Sequence, residues 1–168
     1  MNRLLLIITL LFAVSLTACK KTLIGVERAR AQAVIDDGII QKYIEDNNLA
    51  DSAKRVGDTI GVWYIIRKPG VGSDIFTNST LVTVGQTTRL LTTGEVVAQT
   101  TDFHPSYILG GNIIKAWQLG IPFIQQGGEI RIIAASRYAY GPYAHPEANL
   151  PADAILDFDI TLYDVTNN

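Results

Sequence analysis

The sequence predicts an α+β domain, an antiparallel sheet with one short helix lying on it, and three stretches carry that prediction. AILDFDITLYDV alternates Leu156, Phe158, Ile160 and Leu162 on one side with Asp157, Asp159, Thr161 and Tyr163 on the other, the period of two of a half-buried strand. LVTVGQTTRLLTTGEVVAQT reads as a hairpin turning at Thr92-Thr93-Gly94. IIKAWQLGI, from Ile113 to Ile121, is too short and too apolar for an ordinary surface helix, carries a tryptophan near its centre and is stopped by glycine before Ile-Pro. Strands gathered in the C-terminal two-thirds with one short helix among them place the chain in the α+β class.

The first element is a leader. MNRLLLIITLLFAVSLTACKK has a basic residue at Arg3, an apolar run from Leu4 to Val14, and Leu16-Thr17-Ala18-Cys19 at its end. A bilayer-spanning helix needs about 20 apolar residues, and this run is shorter, so the segment reads as a cleaved signal peptide over residues 1–18. Its ending resembles the lipobox of bacterial lipoproteins, in which small residues precede the scissile bond and the thiol accepts a diacylglycerol. Cys19 is the single cysteine of the chain and falls at the one position that needs it. More than one acyl chain, palmitate included, anchors stably where one alone would not. The expectation is a lipid-anchored protein of the cell envelope, at the outer membrane and facing the periplasm or the surface. Its membrane partner is reached through Cys19, with Lys20 and Lys21 near anionic headgroups. With that thiol alkylated, the mature chain has none for a disulfide, a metal or catalysis.

Residues 19–31 then read as a lipidated tether and residues 32–58 as an N-terminal helical segment. There Ile35, Ile39, Ile40, Tyr43 and Ile44 recur at helical spacing. Gly38 weakens the pattern, and Asp36 or Asp37 could cap a shorter helix instead. The main domain spans residues 59–168, opening with GVWYIIRKPGVG, a strand that ends in a Pro-Gly turn. The hairpin follows, then the short helix, then the strands EIRIIAAS and AILDFDITLYDV. At 168 residues the chain suits one domain with an appendage. A net charge of −2 supplies no basic stripe, so nucleic acid is not an expected partner.

A short helix across the concave face of a half-wrapped sheet leaves a pocket, with Trp117 either as its floor or as plain core. The ordered series IIKAWQLGIPFIQQGGEIRI, RYAYGPYAHP and NLPADAILDFDITLYDV resembles the FKBP-type peptidyl-prolyl cis-trans isomerases. That family's pattern is Val-Ile-x-Gly-Trp, a Gly-Gly or Val-Gly before a strand, Ala-Tyr-Gly, a proline-flanked loop and a Phe-Asp-x-x-Leu strand. The resemblance covers roughly Leu81 to Val165, with the preceding strand fitting loosely. It implies an isomerase that acts on X-Pro bonds in extracytoplasmic protein folding. Proline-containing polypeptides would be its substrates, macrolide immunosuppressants its candidate ligands, and no cofactor or metal is needed. The resemblance makes Trp117 the pocket floor and Ile113 and Ile114 the wall. Tyr107, Tyr140 and Phe158 become its aromatics, Leu150 the apolar residue closing the flap and His145 a loop histidine. Tyr140, Trp117 and Ile114 stand nearest the chemistry. His145 and His104 together make a weak metal site, and exposed loop histidines are the expected reading.

The chain also departs from the family. Where members carry Tyr-Thr-Gly and, across the hairpin, Phe-Asp, alignment on Arg89-Leu90-Leu91 gives Gln86-Thr87-Thr88 and Val97-Ala98. An aromatic wall and a carboxylate acceptor are lost, although Gln86 still donates and accepts hydrogen bonds. The expectation is therefore an isomerase of reduced activity. The alternative is a catalytically weak or inactive domain that binds extended or proline-containing segments as a chaperone or interaction module. A purely structural role at the membrane is the third reading.

Overall fold

The computed structural model describes residues 25–57 and 61–167. The expected signal peptide, Cys19 and the first part of the expected tether lie outside the described residues. The first element among the described residues is a helix, α1 (Val26–Asp46), which starts directly after Gly25. It therefore begins inside the stretch read as tether and runs unbroken through Asp36, Asp37 and Gly38. Neither aspartate caps a shorter helix, because tertiary partners take both carboxylates. Ser136 donates to Asp36 Oδ2 from its backbone N (2.9 Å) and its Oγ (2.6 Å), and Arg137 Nη2 meets Asp37 Oδ1 at 2.8 Å. A helical glycine costs up to about 1 kcal/mol against alanine, which packing elsewhere on the helix offsets. The buried side of α1 also differs from the expected one. Ile40 and Ile44 are buried and Tyr43 half-buried, whereas Ile35 and Ile39 face solvent and Asp36 takes the place of an apolar contact.

Seven strands form one sheet: β1 (Lys54–Arg55), β2 (Val62–Lys68), β3 (Leu81–Leu90), β4 (Val96–Gln99), β5 (Ser106–Ile108), β6 (Glu129–Ala134) and β7 (Leu156–Thr166). The order is β1-β2-β6-β7-β3-β4, with β5 also paired to β3. Every pairing is antiparallel. The longest ladder joins β3 to β7, from Leu81 opposite Thr166 to Leu90 opposite Leu156. The β3–β4 hairpin turns where expected, with Gly94 at φ 73°, a left-handed conformation that glycine adopts at no steric cost. The very short strands β1 and β5 have no counterpart in the sequence reading.

The second helix, α2 (Lys115–Gly120), lies on one face of the sheet and continues into a 3₁₀ turn at Ile121–Phe123. It is six residues long, and at Gly120 it lies so close to β6 that an added Cβ would run into Ile132 Cδ1. Beneath α2, Ile130, Ile132, Leu156, Phe158, Ile160 and Leu162 form the main core with Trp117 and Ile121. Successive strand residues point to opposite faces, so Ile133 and Trp63 meet Ile40 and Ile44 of α1 on the other side. The sheet is thus layered between two helices. For this reason Asp157, expected on a solvated face, is buried and takes both prongs of the Arg131 guanidinium at 2.8 and 2.9 Å. The same Arg131 donates to the Tyr43 hydroxyl of α1 at 2.7 Å.

Candidate active site

A cavity of about 420 Å³ opens between the β3–β4 hairpin, β5, α2 and the loop that leads from β6 to β7. Each wall traces back to a local feature of the sequence. On the helical side, Ile113 and Ile114 lead into α2 and Trp117 follows one turn in, so all three line the cavity. Trp117 is only 5% exposed, with Tyr107 and Phe158 against it edge to face at centroid distances of 5.8 and 5.9 Å. The indole is sunk in the core, and what remains of its surface lines the cavity. Its Nε1 is buried without a protein hydrogen-bond partner.

Phe158 is placed differently from the expectation. It is fully buried and does not line the cavity, because it stands on β7, an inner strand of the sheet, opposite Thr88 of β3 and Ile132 of β6 with Trp117 over it. It supports the floor from below. Tyr107 reaches the cavity because β5 pairs with β3 at Val82.

The hairpin supplies the wall where this chain departs from its relatives in sequence. Gln86 and Thr88 point the same way from β3, and Val97 and Ala98 face them from β4. The register shifts between Thr88 and Arg89, pairing Thr88 with Ala98 and Arg89 with Val96. That leaves Val97 as the extra residue of a β-bulge, a device that re-aims a side chain. Thr88 Oγ1 donates to Gln86 Oε1, so the two polar groups of this wall are joined to each other.

The remaining wall is the loop from Ala139 to Leu150. It leaves β6 through a 3₁₀ turn at Ser136–Tyr138, and its far end closes with a second at Pro146–Ala148. A reciprocal backbone pair ties the second turn, His145 N to Leu150 O at 2.8 Å and Leu150 N to His145 O at 3.1 Å. Leu150, buried, and Tyr140, 40% exposed, both face the cavity, as do Ala139 and Ala148. Burial, and secondarily Tyr107, raises the Tyr140 hydroxyl pKa above the ordinary tyrosine value, at which the group is already a proton donor at neutral pH. His145 does not line the cavity. Its ring lies 5.2 Å from that of Tyr140 and its Nδ1 faces Glu147 Oε1 at 3.2 Å, which places it behind the tyrosine. His104 is elsewhere, its ring tilted at 40° against that of Tyr163 with centroids 4.0 Å apart. Among the described residues no group of three or more His, Cys, Asp or Glu side chains could hold a metal.

Sequence reading had named Gln86, Val97, Ala98, Tyr107, Ile113, Ile114, Trp117, Tyr140 and Leu150, and the fold brings all of these to one cavity. It had not named Asn112, Ala139 or Ala148. Their adjacency to Ile113, Tyr140 and the flap was the available signal.

An antiparallel sheet carrying one short helix, with a tryptophan-floored cavity between helix, hairpin and flap, defines an FKBP-like isomerase domain. Comparison with known proteins agrees. The sequence profile of the FKBP-type peptidyl-prolyl cis-trans isomerases matches residues 72–163, more than half of the chain. The FKBP-type peptidyl-prolyl cis-trans isomerase FkpA of Buchnera aphidicola subsp. Schizaphis graminum is 34% identical over 107 residues, 64% of this chain and 42% of that protein. A peptidyl-prolyl cis-trans isomerase of Saccharomyces cerevisiae is 33% identical over 138 residues, 80% of this chain and 26% of that protein. The chain thus spans less than half the length of these two relatives. Among solved structures, FkpA from Escherichia coli superposes with a TM-score of 0.66 at 25% identity, covering 83% of this chain and 63% of that one. An isomerase from Pseudomonas syringae pv. tomato str. DC3000 shares the fold, with a TM-score of 0.65 at 20% identity over 82% of this chain and 96% of that one. The chain belongs to the FKBP-type peptidyl-prolyl cis-trans isomerase family.

Proposed function

We propose that the protein is a peptidyl-prolyl cis-trans isomerase of reduced activity that acts on X-Pro bonds of extracytoplasmic proteins. The observation that carries this is the cavity floored by Trp117 and walled by Ile113, Ile114, Tyr107, Tyr140 and Leu150. Rotation about an X-Pro bond is slow because planarity carries the amide resonance, a barrier of about 18–20 kcal/mol. At the twisted transition state that resonance is gone and the carbonyl is less polar. An apolar, water-poor cavity then binds the twisted form better than the planar one, and only such differential binding speeds the reaction. The ring and methyl surfaces of this pocket supply that environment, while Tyr140, protonated at neutral pH, can donate to a substrate carbonyl. The reduced rate follows from the hairpin wall. Thr88 Oγ1 donates to Gln86 Oε1 and so occupies that acceptor, and Val97 and Ala98 offer neither aromatic surface nor carboxylate. That same wall favours the second reading, a domain that holds proline-containing or extended segments with negligible turnover.

Isomerisation of a tetrapeptide with a central Leu-Pro bond, together with Trp117 fluorescence in a Trp63→Phe background, tests both. We expect the peptide, and a macrolide ligand of the family, to perturb Trp117 and the peptide to isomerise slowly. Binding without turnover would replace the isomerase by the binding module. Fluorescence unmoved by saturating ligand would remove the pocket from either role.

The envelope location rests on the leader and Cys19. Among the described residues no helix is long and apolar enough to cross a membrane. Metabolic fatty-acid labelling should mark the wild type and vanish in Cys19→Ser. Equal labelling of the two, or none in the wild type, overturns the anchor.

A further inference from the structure

We infer that α1, which precedes the 72–163 stretch matched by the family, braces the pocket flap, and that Asp36 is the positioning residue through which it acts on Tyr140. The inference rests on the pocket reading above.

The flap has two feet, and both stand on α1. At the first, Asp36 Oδ2 accepts from Ser136 N at 2.9 Å and from Ser136 Oγ at 2.6 Å. Beside it the Arg137 Nη2 group lies 2.8 and 3.0 Å from the two carboxylate oxygens of Asp37. At the second foot, Arg28 Nη2 meets Asp153 Oδ2 at 3.0 Å. Backbone bonds then tie the feet together, Gly141 N to Ser136 O at 2.8 Å and Asp153 N to Gly141 O at 3.1 Å.

Ser136 is the pivot. Its carbonyl accepts the N–H of Ala139 at 3.0 Å and of Gly141 at 2.8 Å, the residues on either side of Tyr140. Tyr140 is thus held by Ser136, and Ser136 is held by its N–H and hydroxyl on Asp36. Packing alone gives no reason for an aspartate there. The residue is fully buried in the interior of a helix, beside Ile40 and Ile44, and aspartate is a poor helix former. A buried carboxylate is tolerated only when its oxygens are satisfied, and here Gln32 Nε2 supplies the second one at 2.7 Å. An apolar residue would fill the space and leave the flap unanchored.

The test compares Asp36→Ala, Asp36→Asn and Ser136→Ala with wild type by amide hydrogen exchange. It adds affinity for the Leu-Pro tetrapeptide and KM and kcat, each measured where the variant is folded, with thermal stability recorded alongside. Asparagine can accept from Ser136 through its oxygen and donate to Gln32 once that amide turns, so Asp36→Asn should behave as wild type. Asp36→Ala should speed exchange of the flap amides about tenfold relative to amides of β7, as expected when a local anchor is lost. It should also weaken peptide affinity and raise KM several-fold, with kcat changed less. Ser136→Ala keeps the N–H bond and should loosen the same amides by a smaller factor, which keeps the test available if Asp36→Ala does not fold. The inference is overturned if Asp36→Ala lowers stability yet leaves flap exchange and peptide affinity at wild-type values, or if Asp36→Asn is as impaired as alanine. A wild type that binds the tetrapeptide without turning it over would end the isomerase reading alone, since exchange and affinity still report the brace.

Discussion

Phe158→Ala is expected to lower the unfolding free energy by about 3–5 kcal/mol, the range for removing a buried aromatic ring from a core that cannot collapse around the void. Phe158 is fully buried on β7, an inner strand with β3 on one side and β6 on the other, and three features stop the hole from closing. The strand is hydrogen-bonded along both edges, Gly120 leaves no room for a side chain against Ile132, and Trp117 is also held edge to face by Tyr107. Against a total stability of about 5–15 kcal/mol, such a loss takes a large part of the fold's margin. The floor should suffer too, because the indole loses the ring beneath it. Urea denaturation of the wild type and variant, with tetrapeptide affinity measured on the folded fraction, checks both effects. A loss below about 1 kcal/mol, which is the usual outcome of an average substitution, would show that the ring does not support the pocket.

Gln86→Tyr, Val97→Phe and Ala98→Asp introduced together are expected to raise kcat/KM about tenfold, equivalent to about 1.4 kcal/mol of transition-state binding. The three positions line one wall of the cavity, so they are changed as a set; neighbouring residues seldom act additively. Tyrosine at 86 would break the mutual hydrogen bond of Gln86 and Thr88, and Thr88 would need a new partner. Ring at 97 and carboxylate at 98 restore apolar surface and an acceptor on the facing strand. Overpacking costs about 1–3 kcal/mol in a dense core, but Val97 is half-buried and Ala98 exposed at the cavity rim, where there is room. A folded triple variant that isomerises no faster than wild type would show that this wall does not limit catalysis. If both proteins then proved inert, the binding module would become the leading reading.

Much of the site was legible because its residues sit in short motifs whose spacing is local. Ile113 and Ile114 directly precede a helix ended by Gly120 and Trp117 lies in its first turn, whereas Gln86, Thr88, Val97 and Ala98 were reached through the resemblance to the family pattern around the hairpin. Phe158 and His145 were in the same motifs and yet proved not to line the cavity. Periodicity placed Phe158 on the inner face of β7 correctly, but nothing local says which neighbour covers it, and Trp117 does. His145 lies in a flap whose path depends on the His145–Leu150 pair, a contact formed only when the loop closes.

What the sequence by itself determined is the set of strands long enough to show alternation, the turn between β3 and β4 and the short tryptophan helix. Each of these is a property of residues within a few positions of one another. Only the tertiary structure decided the rest: the two- and three-residue strands β1 and β5, the buried side of α1 and the anchoring of Asp36. A strand of two residues has no period to read, and it exists because β2 offers it a partner. Asp36 interrupts an apolar stripe in the sequence, so pattern alone assigns it to solvent or to a cap. It is buried because Ser136, one hundred residues away, brings an N–H and a hydroxyl to a carboxylate that would otherwise be too costly to remove from water.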